Sequence, residues 1–408
     1  MKRIIYCLLI VLFVTNLSAQ EGWYRQKSNT TNNLRGLYFL DSLIGWTCGG
    51  TGTILHTEDG GKIWKKQNSK SNKWLTSIQF LNNNIGWITS AGGTIQKTTD
   101  GGQNWILQNS NNSADLFDVF FIDSLKGWAV GDSGRILHTI DGGQNWEKQN
   151  SGVVNVLFSV SFIDSLKGFI VGDKGYILET NNSGQNWIIK ETKLNRVLVQ
   201  MQFIDSITGW AVGSDGNFGV ILNTTNGGET WNSKFIDFAA RVYDIIYLNH
   251  HKGWISCSPE FYGEMYYTLD GGNLWIKQKY DFNNNLYDIF FVNDFLGWAV
   301  GENGIILHTT NGGITFVEEE SINKNTSSCY PNPFSETATI EYTLKEPCWV
   351  KLCIYDFLGK EVALLINEFQ DAGEYRKSID GSGLSPGMYY YVLNIGNKTI
   401  TQKIIISE

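Results

Sequence analysis

One periodicity constrains this chain more than any other feature. The pair Gly-Trp occurs at Gly45-Trp46, Gly86-Trp87, Gly127-Trp128, Gly209-Trp210, Gly253-Trp254 and Gly297-Trp298, and Gly168-Phe169 fills the one gap. The steps are 41, 41, 41, 41, 44 and 44 residues. A second mark follows each pair: TEDGGKIW, TTDGGQNW, TIDGGQNW, TNNSGQNW, TTNGGETW, TLDGGNLW and TTNGGITF, ending at Trp64, Trp105, Trp146, Trp187, Trp231, Trp275 and Phe316. Seven copies thus cover about residues 34–316. A unit of this size cannot bury its faces alone, so neighbouring copies must supply the core. In the third copy LFDVFFID, GWAVG, RILHT and WEKQN read as four short strands, separated by Gly-rich or Asp/Asn-rich turns and without a helical period. The chain is therefore expected to be all-β, a seven-bladed β-propeller over residues 21–320.

Within each copy an aromatic six positions before the Gly-Trp glycine is expected to pack between blades: Phe39, Phe80, Phe121, Phe162, Phe203, Tyr247 and Phe291. The turn T-x-D/N-G/S-G-x-x-W resembles the Asp-box (BNR) repeat of sialidases, sortilin-type receptors and photosystem II assembly-factor propellers. Together with Gly-Trp and the 41-residue spacing, it most closely resembles the last of these. The resemblance implies a turn between the third and fourth strands, remote from the active face. Asp59, Trp64, Asp100, Trp105, Asp141, Trp146, Trp187, Trp231, Asp270 and Trp275 are then structural, with Asn182, Asn226 and Asn311 replacing the aspartate in other copies. Gly61 and Gly102 are expected at positive φ, and the Asp59 and Asp100 carboxylates as acceptors of turn N–H groups. Trp23 lies 41 residues before Trp64, and GWYRQKS matches IWKKQNS, which makes eight fourth strands for seven blades. Either Trp23 to Ser28 closes the ring beside the last blade, or it displaces the FVEEES segment after Phe316.

Propellers usually bind partners on the face carrying the loops before the first strand and between the second and third. Both 3-residue insertions fall in the latter loops, as GSDGNFGV with Asp215 and Phe218, and SPEFYGEM with Glu260, Phe261, Tyr262 and Glu264. Arg196 and Arg241 precede the first strands of the same two blades, and Trp74 holds the comparable place in copy two. An aromatic and charged patch of this kind suits a protein or glycan partner. The alternative is a secreted glycoside hydrolase of a sialidase-like Asp-box class. The inner-strand acids Asp118, Asp244 and Asp288 share one register and are its candidate carboxylates, or else line a solvated channel. Three convergent arginines of sialidase type are not evident, so no catalytic residue is assigned. His56, His138 and His308 lie on separate blades and cannot gather round a metal, and no residue set calls for a cofactor. Gly131-Asp132-Ser133-Gly134 is a second-to-third-strand turn, matched by GDKG and GENG, and not a serine nucleophile motif.

Residues 1–20 read as a secretory signal: Lys2 and Arg3, an apolar stretch from Ile4 to Val14, then Ser18 and Ala19 before the cut. No later segment is apolar enough to span a membrane. Removing two cations from the net charge of −8 leaves −10, which disfavours nucleic acid or an anionic membrane as partner. Cys48, Cys257, Cys329, Cys348 and Cys353 remain; Cys329 with Cys348 or Cys353 would suit a bridge, and buried thiols are the other reading. Fourteen of the fifteen Trp precede residue 329 and four of the five Pro follow it, so a second unit starts there, after a polar linker at 321–328. TATIEYTL, WVKLCIYD and MYYYVLNI alternate as strands of a small Ig-like sandwich. The order YPNPF, IYDFLGKEV, DAGEY, LSPGMYYYVL and KIIIS over residues 329–408 resembles the type A C-terminal sorting domain of the Bacteroidetes type IX secretion system. The resemblance implies passage through the periplasm and recognition of the tail by the type IX machinery, then release or attachment at the cell surface. It makes Pro331, Asn332, Pro333 and Phe334 the motif residues, with Gly359, Gly373 and Gly387 as turn formers.

Overall fold

The computed structural model describes residues 22–313 and 327–407, apart from 193, 216, 237, 260, 261, 279, 281, 357–359, 396 and 397. Among the described residues there is no α-helix, and seven four-stranded antiparallel sheets follow one another along the chain. Blade one is Leu34–Phe39, Gly45–Gly49, Thr53–Thr57 and Lys65–Asn68, from the axis outward. Blade six is Arg241–Tyr247, Gly253–Ser258, Glu264–Thr268 and Ile276–Lys277. Blade seven has only three strands of its own, Leu286–Phe291, Gly297–Gly301 and Ile306–Thr309. Its fourth is Tyr24–Gln26, with Tyr24 opposite His308 and Gln26 opposite Ile306. The N-terminal segment therefore closes the ring beside the last blade; Phe316 and the FVEEES segment lie outside the described residues.

The repeated residues form one packing unit. Phe80 stacks on Trp46 of the preceding blade at 3.6 Å and meets Trp105 of its own blade edge-on at 5.9 Å. Such pairs contribute roughly 1 kcal/mol beyond the area they bury. Phe39 completes the circle by stacking on Trp298 at 3.7 Å. Trp23 meets Phe291 edge-on at 5.7 Å, taking in blade seven the place of the turn tryptophan. The glycine of Gly-Trp follows from the same contact, because a Cβ on Gly45 would lie 2.4 Å from the Phe39 ring.

The lower turns, between third and fourth strands, have a second organiser that the motif does not advertise. Thr57 Oγ1 donates to Asp59 Oδ1 at 2.8 Å and accepts the Gly61 N–H at 2.8 Å, while Asp59 Oδ1 accepts the Ile63 N–H at 2.9 Å. Gly61 sits at φ +86° and Gly102 at +88°. Asn182 Oδ1 does the aspartate's work in blade four, accepting the Asn186 N–H at 3.0 Å. A glutamine three residues after the turn tryptophan then couples neighbouring blades. Gln26 Nε2 donates to Gly60 O at 2.8 Å while its Oε1 accepts Trp64 Nε1–H at 3.0 Å, and Gln278 treats Gly312 and Trp23 alike.

The tail is two sheets sharing one core. Ser327–Tyr330, Thr337–Leu344 and Gly373–Asp380 form one; Glu361–Gln370, Cys348–Asp356, Gly387–Ile395 and Lys398–Ile406 form the other, in that order. Ile340, Leu352, Tyr391 and Ile404 are among the side chains buried between them. The first strand begins at Ser327, within the segment expected to be linker. The Asn332 side chain behaves as a piece of strand: Nδ2 donates to Lys403 O at 2.9 Å and Oδ1 accepts the Ile405 N–H at 2.8 Å. Phe334, buried in the core, exchanges backbone bonds with Ile405 and Ser407, so the PNPF motif covers the edge of the last strand. Gly373 and Gly387 each open a strand, and Gly359 lies outside the described residues. All five described cysteines are free thiols.

Candidate functional site

The upper face is built by the loops before each first strand and between second and third strands. A cleft of about 490 Å³ opens there across blades four to six. Asn155, Asp173, Lys174, Arg196, Asp215, Arg241 and Tyr243 line it, so three of the sequence candidates converge on one depression. Two of those three are spent on each other. The Arg196 guanidinium is paired with Asp215, lies 4.7 Å over the Phe235 ring and reaches Phe218 O at 3.4 Å. Asp215 also accepts the Asn217 and Phe218 N–H groups, and these amides hold its carboxyl below the usual range. Arg241, by contrast, is exposed and forms no ion pair with a described carboxylate. Burial raises the Tyr243 phenol beside it, and the nearby Arg241 partly opposes that shift. Phe218 and Tyr262 are exposed on their loops, while Phe261 and Glu260 lie outside the described residues.

Two candidates stand elsewhere. Glu264 is the first residue of a third strand, paired with Lys277 and accepting Tyr266 Oη–H at 2.7 Å. Trp74 is not beside blades five and six. It lies 5.0 Å from the Arg35 guanidinium, which also sits 4.8 Å over the Tyr287 ring. Tyr287 meets Tyr243 edge-on at 5.3 Å, so ring contacts lead from Trp74 through Arg35 and Tyr287 to the cleft. Arg35 and Tyr287 escape a reading of the sequence because blades one and seven become neighbours only when the ring closes.

The axial acids Asp118, Asp244 and Asp288 serve as bonds between neighbouring blades. Each of these first strands carries a bulge near its start, and the acid follows the bulged residue. These residues link blade to blade. Asp118 accepts Ser77 Oγ–H at 2.8 Å from blade two and the Val160 N–H at 3.0 Å from blade four. Asp244 accepts the Ile289 N–H at 2.8 Å, and Asp288 the Leu37 N–H at 2.7 Å. Burial pushes the Asp244 carboxyl up to about 6. Asp288 is raised well above the carboxylate range by burial and then by Asp244. Burial likewise raises Asp118. His56, His138 and His308 stack on Trp46, Trp128 and Trp298 at 4.6, 4.8 and 4.6 Å, and among the described residues no metal-ligating cluster forms.

Residues 15–113, 108–191 and 187–282 match the family described as photosynthesis system II assembly factor YCF48. The chain belongs to that family. Residues 328–407 match the secretion system C-terminal sorting domain. No curated protein matches the chain significantly. Among solved structures, YCF48 bound to D1 peptide is 22% identical with a TM-score of 0.60, covering 71% of this chain and 97% of that one. YCF48 from Cyanidioschyzon merolae is 21% identical with a TM-score of 0.59, covering 72% and 100%. A GH74 enzyme from Niastella koreensis is 11% identical with a TM-score of 0.56, covering 95% and 74%, a likeness of fold alone. This YCF48-type propeller thus carries a type IX sorting tail, which directs it to the cell surface or the extracellular space.

Proposed function

We propose that this secreted propeller is a binding scaffold that holds a protein or glycan partner on its upper face, and that the signal at 1–20 and the tail at 329–408 deliver it in two steps. The observation that carries the reading is the arc of partly exposed aromatic and cationic side chains from Trp74 to Arg241, ending in the cleft over blades four to six. A rigid disc with charged and aromatic groups fixed on one face holds a partner without reordering itself, which limits the entropic cost of binding. A solved YCF48 carries a D1 peptide, which is consistent with a family that holds partners and does not identify this one. A hydrolase role is disfavoured because each axial carboxyl already accepts one amide of the next blade. The test is capture of partners from the native outer surface by the mature chain, beside a fluorogenic glycoside screen. Capture lost in Arg241→Glu supports the scaffold, whereas turnover abolished by Asp118→Asn, Asp244→Asn or Asp288→Asn contradicts it.

A further inference from the structure

Two arginines on the upper face are held in opposite ways. Arg196 spends its guanidinium on Asp215 and on Phe218 O. Arg35 is exposed, with its guanidinium carbon 5.0 Å over the Trp74 ring and 4.8 Å over the Tyr287 ring. No described side chain accepts from its N–H groups. The clamp is itself anchored: Tyr287 Oη–H donates to Glu302 Oε1 at 3.0 Å, and Asn285 holds the same carboxylate through its side-chain amide at 2.9 Å. Glu302 is thereby committed to its own loop and is not the partner of Arg35. Aromatic stacking on a guanidinium leaves its in-plane donors free, and a planar fork of donors matches a carboxylate two bonds at a time.

We infer that Arg35, with Trp74 and Tyr287, is a receptor for the carboxylate of a sugar acid carried on an otherwise neutral glycan. This rests on the upper-face binding role proposed above and deepens it. Trp74 is 44% exposed, so a broad indole surface stands beside the fixed guanidinium, fitting the C–H face of a sugar ring whose carboxylate reaches Arg35. A peptide adding as a strand beside Arg35 would meet a Leu37 N–H already taken by Asp288. The mature chain, at net −10, disfavours a polyanion more than it does a single carboxylate.

The full chain without its signal is titrated with a glucuronic acid-substituted xylo-oligosaccharide, the unsubstituted oligosaccharide and a Glu-containing peptide. The acidic oligosaccharide should bind, and its neutral counterpart more weakly by at least about tenfold, the scale of a charge-assisted bidentate contact. Arg35→Gln should remove that preference and Arg35→Lys restore part of it, with the thermal midpoint of each variant confirming the fold. Equal binding of acidic and neutral sugars, no binding of the acidic sugar, or a preference unchanged in Arg35→Gln each overturns the inference. A peptide that binds more tightly with the same Arg35 dependence overturns the glycan assignment and leaves the upper-face reading standing. Native partners captured through Arg241 but not Arg35 do the same, whereas failure of any capture overturns the upper-face reading itself.

Discussion

The two faces of the propeller are made by opposite rules. On the lower face each blade repeats the same parts: a threonine, an aspartate or asparagine, a left-handed glycine and an aromatic, which is Trp23 in blade seven. On the upper face the corresponding positions differ from blade to blade, with Arg35, Thr76, Phe117, Phe158, Val199, Tyr243 and Tyr287 sharing one register. Repetition marks the parts that close the ring, where every blade has the same task. Variation marks the face free to be complementary to something else, so the stability of one face and the chemistry of the other can be separated by substitution.

The largest effect is expected from the packing unit. Trp46→Ala removes a buried ring from between Phe80 and His56 and should destabilise the fold by about 3–5 kcal/mol, read by denaturant unfolding. Asp100→Ala frees the Asn104 N–H and the Thr98 hydroxyl of one lower turn, and should cost about 1–2 kcal/mol in the same experiment. A cost as small as that of an upper-face change would blur the division between the faces.

A third effect is one of pH. Asp244, raised to about 6 from 3.8, binds its proton more tightly folded than unfolded. The folded state therefore holds more protons between these values, and stability should fall as pH rises from about 4 to about 6. Asp288, raised by burial and then by Asp244, acts in the same direction. Asp141, held at about 2 by the Asn145 backbone N–H, acts in the other direction, its contribution being lost as pH falls from 3.8 through about 2. Asp244→Asn should flatten the decline between pH 4 and 6, checked by thermal midpoints across that range. The smallest effect on stability belongs to Tyr262→Ala, an exposed upper-loop change expected within about 0.5 kcal/mol of the parent.

How far the sequence reveals these parts follows the same division. The blade count, the packing aromatics and the lower turns are legible because each repeats at a constant spacing. Asp118, Asp244 and Asp288 are legible as a register but not as latches, since the amides they accept lie one blade further on. Arg35 and Tyr287 are 252 residues apart and meet only through ring closure, so no local pattern joins them. In the tail, PNPF is recognisable as a motif, yet its work as a clasp on the last strand depends on Lys403 and Ile405, some 70 residues downstream.

The division between a ring-building face and a binding face is tested most directly by one paired measurement on the mature chain. The variant Arg35→Gln/Arg241→Gln/Tyr262→Ala is compared with the parent for capture of partners from the native outer surface, with its thermal midpoint measured on the same preparation. The account predicts that capture is lost while the midpoint stays within a few degrees of the parent. Capture that persists in this variant would contradict it.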